Sequence, residues 1–180
     1  MTPALAAALE QAGRLLTYPA SGYVDDIDRL TAAVEPVDPA AAASLAAFAD
    51  SLRGRTVEAL QELYTQTFDM NPVCALEVGW HLFGEDYERG AFLVRMREAL
   101  RARGIDEGGE LPDHLASMLQ LAARSGPADA DPLITRALLP ATAKILENLQ
   151  AADSPFVPLL AAVRAALTAA APAVPEVHHA

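Results

Sequence analysis

A short segment just past the middle of the chain places three ionisable side chains beside a proline. It reads, in order, Glu110, Leu111, Pro112, Asp113, His114 and Leu115, and is called the hexapeptide below. Pro112 suits the first turn of a helix, because its ring presets φ and its missing N–H is not needed there. Asp113 is then expected in that first turn, where a negative charge meets the positive end of the helix dipole. His114 is expected at the same corner, where an imidazole titrates near neutral pH.

The hexapeptide has a structural interpretation beside a functional one. As a helix start it needs no partner, and replacing Asp113 by alanine would cost about 1 kcal/mol. That is small beside the roughly 5–15 kcal/mol stability of a domain. If the hexapeptide instead contacts a partner, changing both Asp113 and His114 to alanine should leave melting nearly intact and abolish function.

Other residues that could do chemistry are few. Glu77 and His81 lie four positions apart and share a predicted helix face, but the second histidine of a zinc helix motif is missing, so a local ion pair or hydrogen bond is expected. Cys74 is predicted to be a packed thiol, because the sequence places no base near it. His178 and His179 are adjacent in a tail that is predicted to be disordered. We predict no catalytic residues, no metal and no cofactor.

The segments that position these residues are predicted to be helices throughout. Strand signals are nearly absent, while capping side chains precede prolines in five places, each predicted to start a helix. These pairs are Thr2-Pro3, Asp38-Pro39, Asn71-Pro72, Asp131-Pro132 and Ser154-Pro155. The predicted fold is all-α, a single-domain bundle of about eight to nine helices over residues 1–171.

Apolar spacing predicts several of the helix boundaries. Residues 72–83 are apolar nearly all round, which is typical of a central, buried helix. Residues 87–103 carry one apolar face, with their arginines mostly away from it. A polar connector is expected over residues 125–131, and then a helix over residues 132–151 that Pro140 kinks or breaks. The last helix is predicted over residues 155–171, before a disordered tail.

Charge and composition exclude several classes of partner. The chain of 180 residues carries 24 acidic and 13 basic side chains, a net charge of −11. This disfavours nucleic acid and anionic membranes, and it favours a cationic partner or a solvated acidic surface. A single cysteine excludes an internal disulfide. With no signal peptide and no stretch typical of a membrane span, we expect a cytoplasmic protein without stable membrane insertion.

The hexapeptide comes later in the chain than the segment from Leu63 through Thr67 to Asp69. In this order, the two segments resemble the delta-subunit (NarJ) family of nitrate reductase assembly chaperones. That family lies within the wider group that includes TorD and DmsD. The resemblance covers roughly residues 63–119. Residues 83–90 resemble the stretch that lies between two central helices in that family, and residues 15–19 give a further short match. The resemblance implies a TorD-like helical fold.

The resemblance also implies a function. It implies a non-catalytic cytoplasmic chaperone that binds the N-terminal segment of a molybdoenzyme catalytic subunit, nitrate reductase being the first candidate. The chaperone would hold this client until the molybdenum cofactor is inserted, with the proteins of molybdenum cofactor biosynthesis as further candidate partners.

Alternatives stay open at this point. Residues 70–81 depart from the enterobacterial pattern, so another enzyme of the dimethyl sulfoxide reductase family is an alternative client. An unrelated helical scaffold or regulator is a second alternative, and a hydrolase or metal-dependent enzyme a third.

The predicted client site combines aromatic and acidic side chains. The aromatic residues are expected mostly in the core, with some lining a groove. The predicted acidic rim of this groove consists of Asp69, Glu85, Asp86, Glu88 and Asp113. Such a groove would complement a basic amphipathic helix, and molybdoenzyme leaders carry arginines before an apolar stretch. The predicted client-peptide residues are Tyr64, Phe68, Asp69, Trp80, Phe83, Glu85, Tyr87, Glu110, Pro112, Asp113, His114 and Leu115.

Overall fold

Ten α-helical segments run through residues 1–172, the part of the chain that the computed structural model describes. They are α1 (Pro3–Leu15), α2 (Tyr23–Val34), α3 (Pro39–Leu52), α4 (Val57–Tyr64), α5 (Val78–Phe83), α6 (Tyr87–Ala102), α7 (Leu115–Ala123), α8 (Pro127–Leu133), α9 (Leu139–Ala151) and α10 (Val157–Ala170). Wide π-type turns extend α4 through Thr65–Asp69 and join α8 to α9 through Ile134–Leu138. Nine continuous helical runs result, with no strand among these residues, which confirms the predicted all-α fold.

The core forms around α1, which packs against α2, α7 and α10. The core includes an aromatic cluster, in which the Phe156 ring centroid lies 4.8 Å from that of Phe68 and 5.5 Å from that of Phe48. In residues 1–172, no helix combines the length and the apolar character that a membrane crossing requires. The predicted disordered tail lies outside the described residues except for Pro172.

Local capping chemistry correctly predicted some helix starts. The Thr2 hydroxyl accepts a hydrogen bond from the Leu5 N–H at 3.3 Å and precedes a proline at the start of α1. At the start of α3, the Asp38 carboxylate accepts from the Ala41 N–H at 3.0 Å. In both cases a side chain satisfies an N–H group that has no partner inside the helix.

Two predicted starts are wrong, and a third lies two residues before the observed one. Asn71-Pro72 lies in a turn, and α5 begins only at Val78. Pro132 lies inside α8, which occupies the predicted polar connector. At Ser154-Pro155 the Ser154 hydroxyl accepts from the Phe156 N–H, and α10 begins just afterwards. A short polar residue before proline favours turns as well as helix starts, so the pair alone does not distinguish them.

Pro140 neither breaks nor ends its helix, because a wider, π-type helical turn lies just before it. The Leu139 N–H donates to the Ile134 carbonyl, five residues back. A π-type turn at this point accommodates a residue that has no N–H and whose ring would clash in a regular helix. The helical run therefore continues to Ala151, and α8 and α9 act as one long element.

Candidate partner-binding site

The hexapeptide forms a turn that is hydrogen-bonded to the segment before α5. The Val78 N–H donates to the Asp113 carbonyl at 2.9 Å, and the Leu115 N–H donates to the Leu76 carbonyl at 2.8 Å. Helix α7 begins only at Leu115, so Pro112 lies in the preceding turn. The prediction that Pro112 starts the helix is therefore wrong, although its ring still stiffens the turn.

Asp113 caps a different helix from the one predicted. Its Oδ2 accepts a hydrogen bond from the Gly79 N–H in the first turn of α5 at 2.8 Å, and the residue is 0% exposed. Burial raises the pKa of Asp113, while the Gly79 N–H and the charge of Arg89 partly oppose that rise. Within residues 1–172, Asp113 Oδ1 and Arg89 Nε are buried without a hydrogen-bond partner. Asp113 therefore joins α5 to the start of α7 inside the protein.

Gly79 is required by this arrangement. A Cβ atom on Gly79 would lie 2.7 Å from Asp113 Oδ2 and 3.0 Å from the Phe92 ring. Both distances are too short for an ordinary contact, so the absence of a side chain lets α5 approach the hexapeptide. Gly79 was not predicted as a site residue, and its only visible signal in the sequence is a glycine in an otherwise apolar segment.

Arg89 covers the same region from α6. Its guanidinium carbon lies 5.5 Å from the centroid of the Trp80 ring, a cation–π arrangement. The Trp80 indole N–H donates to the Pro72 carbonyl at 3.1 Å, which orients the ring. Asp113, Gly79, Arg89 and His114 are called the Asp113 junction below.

His114 caps its own helix from a buried position. Its Nδ1 accepts a hydrogen bond from the Ala116 N–H at 3.3 Å, at the start of α7. Burial lowers the pKa of His114, against the opposing charges of Glu77 and Asp69. An acceptor nitrogen requires an imidazole without a proton at that atom, so the lowered pKa agrees with the hydrogen bond.

The predicted client-peptide residues occupy three different environments. Six are buried, namely Tyr64, Phe68, Pro112, Asp113, His114 and Leu115; two are half-buried, namely Trp80 and Phe83; and four are exposed, namely Asp69, Glu85, Tyr87 and Glu110. Tyr64 donates its hydroxyl to the Leu16 carbonyl at 3.0 Å, and its ring lies 5.0 Å from that of Phe68. The buried members therefore build the scaffold in this conformation, and Asp113 is not part of an acidic rim.

An open groove lies between α6 and the long element formed by α8 and α9. Its volume is about 490 Å³. Its lining is mainly apolar and includes Phe83, Phe92, Met96, Leu121 and Leu133. Phe83 is the only one of the predicted client-peptide residues in this lining. A helix that docks its apolar face is a common ligand of apolar grooves of this kind.

The rim of this groove is basic rather than acidic. Its charged lining residues are three arginines, Arg95, Arg103 and Arg136, and one carboxylate, Asp129. None of the acidic residues predicted for the rim of the client site lines this groove. The acidic residues Glu85, Asp86 and Glu88 are exposed beyond Phe83, around the turn between α5 and α6. The basic rim was not predicted, because the arginines of α6 were expected mostly away from its apolar face.

The candidate metal and nucleophile residues take structural positions. His81 Nε2 lies 2.7 Å from the Ala75 carbonyl, so its hydrogen bond is to the backbone rather than to Glu77. Burial raises the pKa of the Cys74 thiol, which disfavours the reactive thiolate. No group of three or more histidine, cysteine, aspartate or glutamate residues within residues 1–172 has a metal-binding arrangement. His178 and His179 lie outside the described residues.

The fold and this groove define a helical protein with a surface suited to binding an extended or helical segment. The family model described as nitrate reductase delta subunit matches residues 34–162. Because the match spans more than half of the chain, the protein belongs to the nitrate reductase delta subunit family, which confirms the resemblance carried by the hexapeptide. No curated protein matches the chain.

Proposed function

We propose that this protein is a cytoplasmic assembly chaperone without catalytic activity of its own. Its client is the catalytic subunit of a molybdoenzyme, with nitrate reductase as the first candidate. The chaperone binds the N-terminal segment of that subunit and holds the subunit until the molybdenum cofactor is inserted, in contact with the proteins of molybdenum cofactor biosynthesis. Membership of the delta subunit family supports the client class.

The open apolar groove is the observation that carries the binding part of this proposal. Phe92, Met96 and Ala99 follow one another at helical spacing along α6 and form one wall. Leu133 and Ala137 lie at helical spacing on the facing wall. Two apolar stripes that line one groove can take the apolar face of an amphipathic helix and remove it from water.

The exposed acidic turn between α5 and α6 adds a second contact. Glu85, Asp86 and Glu88 are adjacent to Phe83, which lines the groove. A leader segment with arginines before its apolar stretch would place the arginines at this turn and the apolar side chains in the groove. Binding should weaken as salt is raised, because exposed charges are screened within about 10 Å at 0.1 M salt.

Calorimetry with two matched variants tests the proposed site. The ligand is a synthetic peptide of the N-terminal segment of the nitrate reductase catalytic subunit encoded beside this gene. Ala128 is exposed and lines the groove, whereas Ala91 is exposed on α6 outside it. We expect Ala128→Trp to weaken binding by about tenfold or more, since a large ring would fill the groove.

The control variant Ala91→Trp should bind the peptide like the unmodified protein. Thermal unfolding of both variants establishes that each is folded. If the unmodified protein does not bind the peptide at low salt, the proposed client is wrong. If both variants bind equally well, the proposed place of binding is wrong.

A further inference from the structure

The charged residues that line the groove are mainly basic, whereas the molecule as a whole is acidic. Acidic side chains outnumber basic ones by 24 to 13 in the chain. Around the groove the ratio is reversed, with three arginines and one aspartate in the lining. A partner that only needed an apolar surface would gain nothing from this arrangement, so the arginines carry information about its chemistry.

One arginine is already paired across the groove. Arg103 at the end of α6 donates to Asp129 in the first turn of α8 at 2.6 Å. This pair joins the two walls at one end. Arg95 lies about two helical turns back along α6, and Arg136 lies about two turns forward along the other wall. The two remaining arginines both line the groove, Arg95 from α6 and Arg136 from the segment that joins α8 to α9.

Arg95 and Arg136 are both exposed, and neither forms a salt bridge with a carboxylate within residues 1–172. The guanidinium of Arg95 lies 6.0 Å from the centroid of the Phe92 ring, which holds it over the apolar wall. Docking an apolar helix between two guanidinium groups removes water from both. That cost is offset only if the helix supplies an acceptor, and a carboxylate matches the geometry of guanidinium donors best.

We propose that the groove takes an amphipathic helix that places a carboxylate between Arg95 and Arg136. The partner segment is thus apolar on one face and acidic along the edge that faces these arginines. This inference rests on the proposed function, in which the groove is a peptide-binding site. It adds a statement about the charge of the segment that binds there. Any basic residues of the same segment lie outside the groove, toward the turn that carries Glu85, Asp86 and Glu88.

Two designed peptides test this charge preference without a natural client. Both are helical and share one apolar face, and they differ only in carrying glutamate or glutamine at the edge position. Fluorescence anisotropy measures their binding. We expect the unmodified protein to bind the glutamate peptide about tenfold more tightly, although the net charge of −11 would repel it at long range.

The double variant Arg95→Gln with Arg136→Gln should bind both peptides equally. The matched control is Arg55→Gln with Arg101→Gln, which removes the same charge from two exposed positions outside the groove lining. This control should keep the preference for the glutamate peptide. Equal binding of the two peptides by the unmodified protein, or an unchanged preference in the double variant, would overturn the inference.

The outcome is separable from that of the proposed function. If the client peptide binds in the groove and the glutamate peptide has no advantage, the charge inference fails and the proposed function stands. If the glutamate peptide is preferred and the client peptide does not bind, the charge inference stands and the proposed client fails.

Discussion

The Asp113 junction and the groove lie on either side of the same residue, Phe92, which packs beside Gly79 and lines the groove, but they differ in nearly every physical property. At the junction, the ring packs beside the position that a Cβ of Gly79 would occupy. In the groove, the same residue forms part of an open apolar wall. The junction is buried and holds backbone N–H groups with side-chain acceptors, whereas the groove is open and carries charge only at its rim.

This difference separates the residues that make the protein recognisable from the residues that could bind a partner. The hexapeptide is the most distinctive part of the sequence, yet Pro112, Asp113, His114 and Leu115 are buried. The groove is lined mostly by alanine, leucine, phenylalanine, methionine and arginine side chains, which carry no distinctive sequence motif. We therefore interpret the hexapeptide as the scaffold that sets the positions of α5 and α7, between which the groove wall of α6 is held.

The largest expected effect is on folding and comes from the junction. The double change Asp113→Ala with His114→Ala should lower the free energy of unfolding by about 3 kcal/mol, because two buried N–H groups, those of Gly79 and Ala116, lose their acceptors. This replaces the expectation from sequence that melting would stay nearly intact. Urea denaturation measures it, with exposed Glu110→Ala as the control that should leave stability unchanged. A loss below about 1 kcal/mol would reduce the junction to ordinary helix capping.

A pair of glycine substitutions gives the next largest effect. Gly79→Ala should lower the free energy of unfolding by about 2 kcal/mol, because the new methyl group clashes with Asp113 and Phe92. Gly90 lies in α6, and no neighbouring atom lies within 4 Å of the position that a Cβ atom would take there. Gly90→Ala should therefore raise stability by about 0.5–1 kcal/mol. Opposite signs for the same chemical change, measured by urea denaturation, would confirm the close approach at the junction, and equal effects at both positions would contradict it.

The smallest expected effect is on pH dependence. Burial lowers the pKa of His114 in the folded protein. Below the ordinary histidine pKa near 6.5, the unfolded chain therefore binds more protons than the folded protein does. The contribution of His114 to stability is then full above that pH and is lost as pH falls toward its lower folded pKa. His114→Asn keeps a capping acceptor but does not titrate, so its unfolding free energy should fall less between pH 7.5 and 5.5. A fall equal to that of the unmodified protein would show that other groups control the pH dependence.

Much of the helical fold could be predicted because its signals are local. Thr2 and Asp38 cap helices through hydrogen bonds to N–H groups three residues away, a spacing that is visible in the sequence itself. The start of α8 was missed because residues 125–131 are mostly polar or small, although Ala130 is buried. A short helix with one buried face and several exposed positions lacks a strong apolar period.

The candidate site was harder to predict because its contacts join distant parts of the chain. Asp113 was predicted as a client-contact residue, but the hydrogen bond that it accepts from the Gly79 N–H joins the turn before α7 to α5 and has no local signature. The apolar stripe of α6 with Phe92 and Met96 was visible in the sequence. The sequence did not show which element would face this stripe. The arginines on the two walls could therefore not be assigned to one site. Contacts of this kind depend on packing rather than on local propensity.

Amide hydrogen exchange with and without the bound N-terminal client peptide tests the central claim most directly. If the groove is the client site, exchange should slow in residues 92–103 and 128–137 when the peptide is added. Exchange at the junction, including the Gly79 and Ala116 amides, should change little, because these buried residues do not line the groove that the peptide would occupy. Protection confined to the hexapeptide and α5, with no change along the groove walls, would contradict this account and return the client site to the hexapeptide.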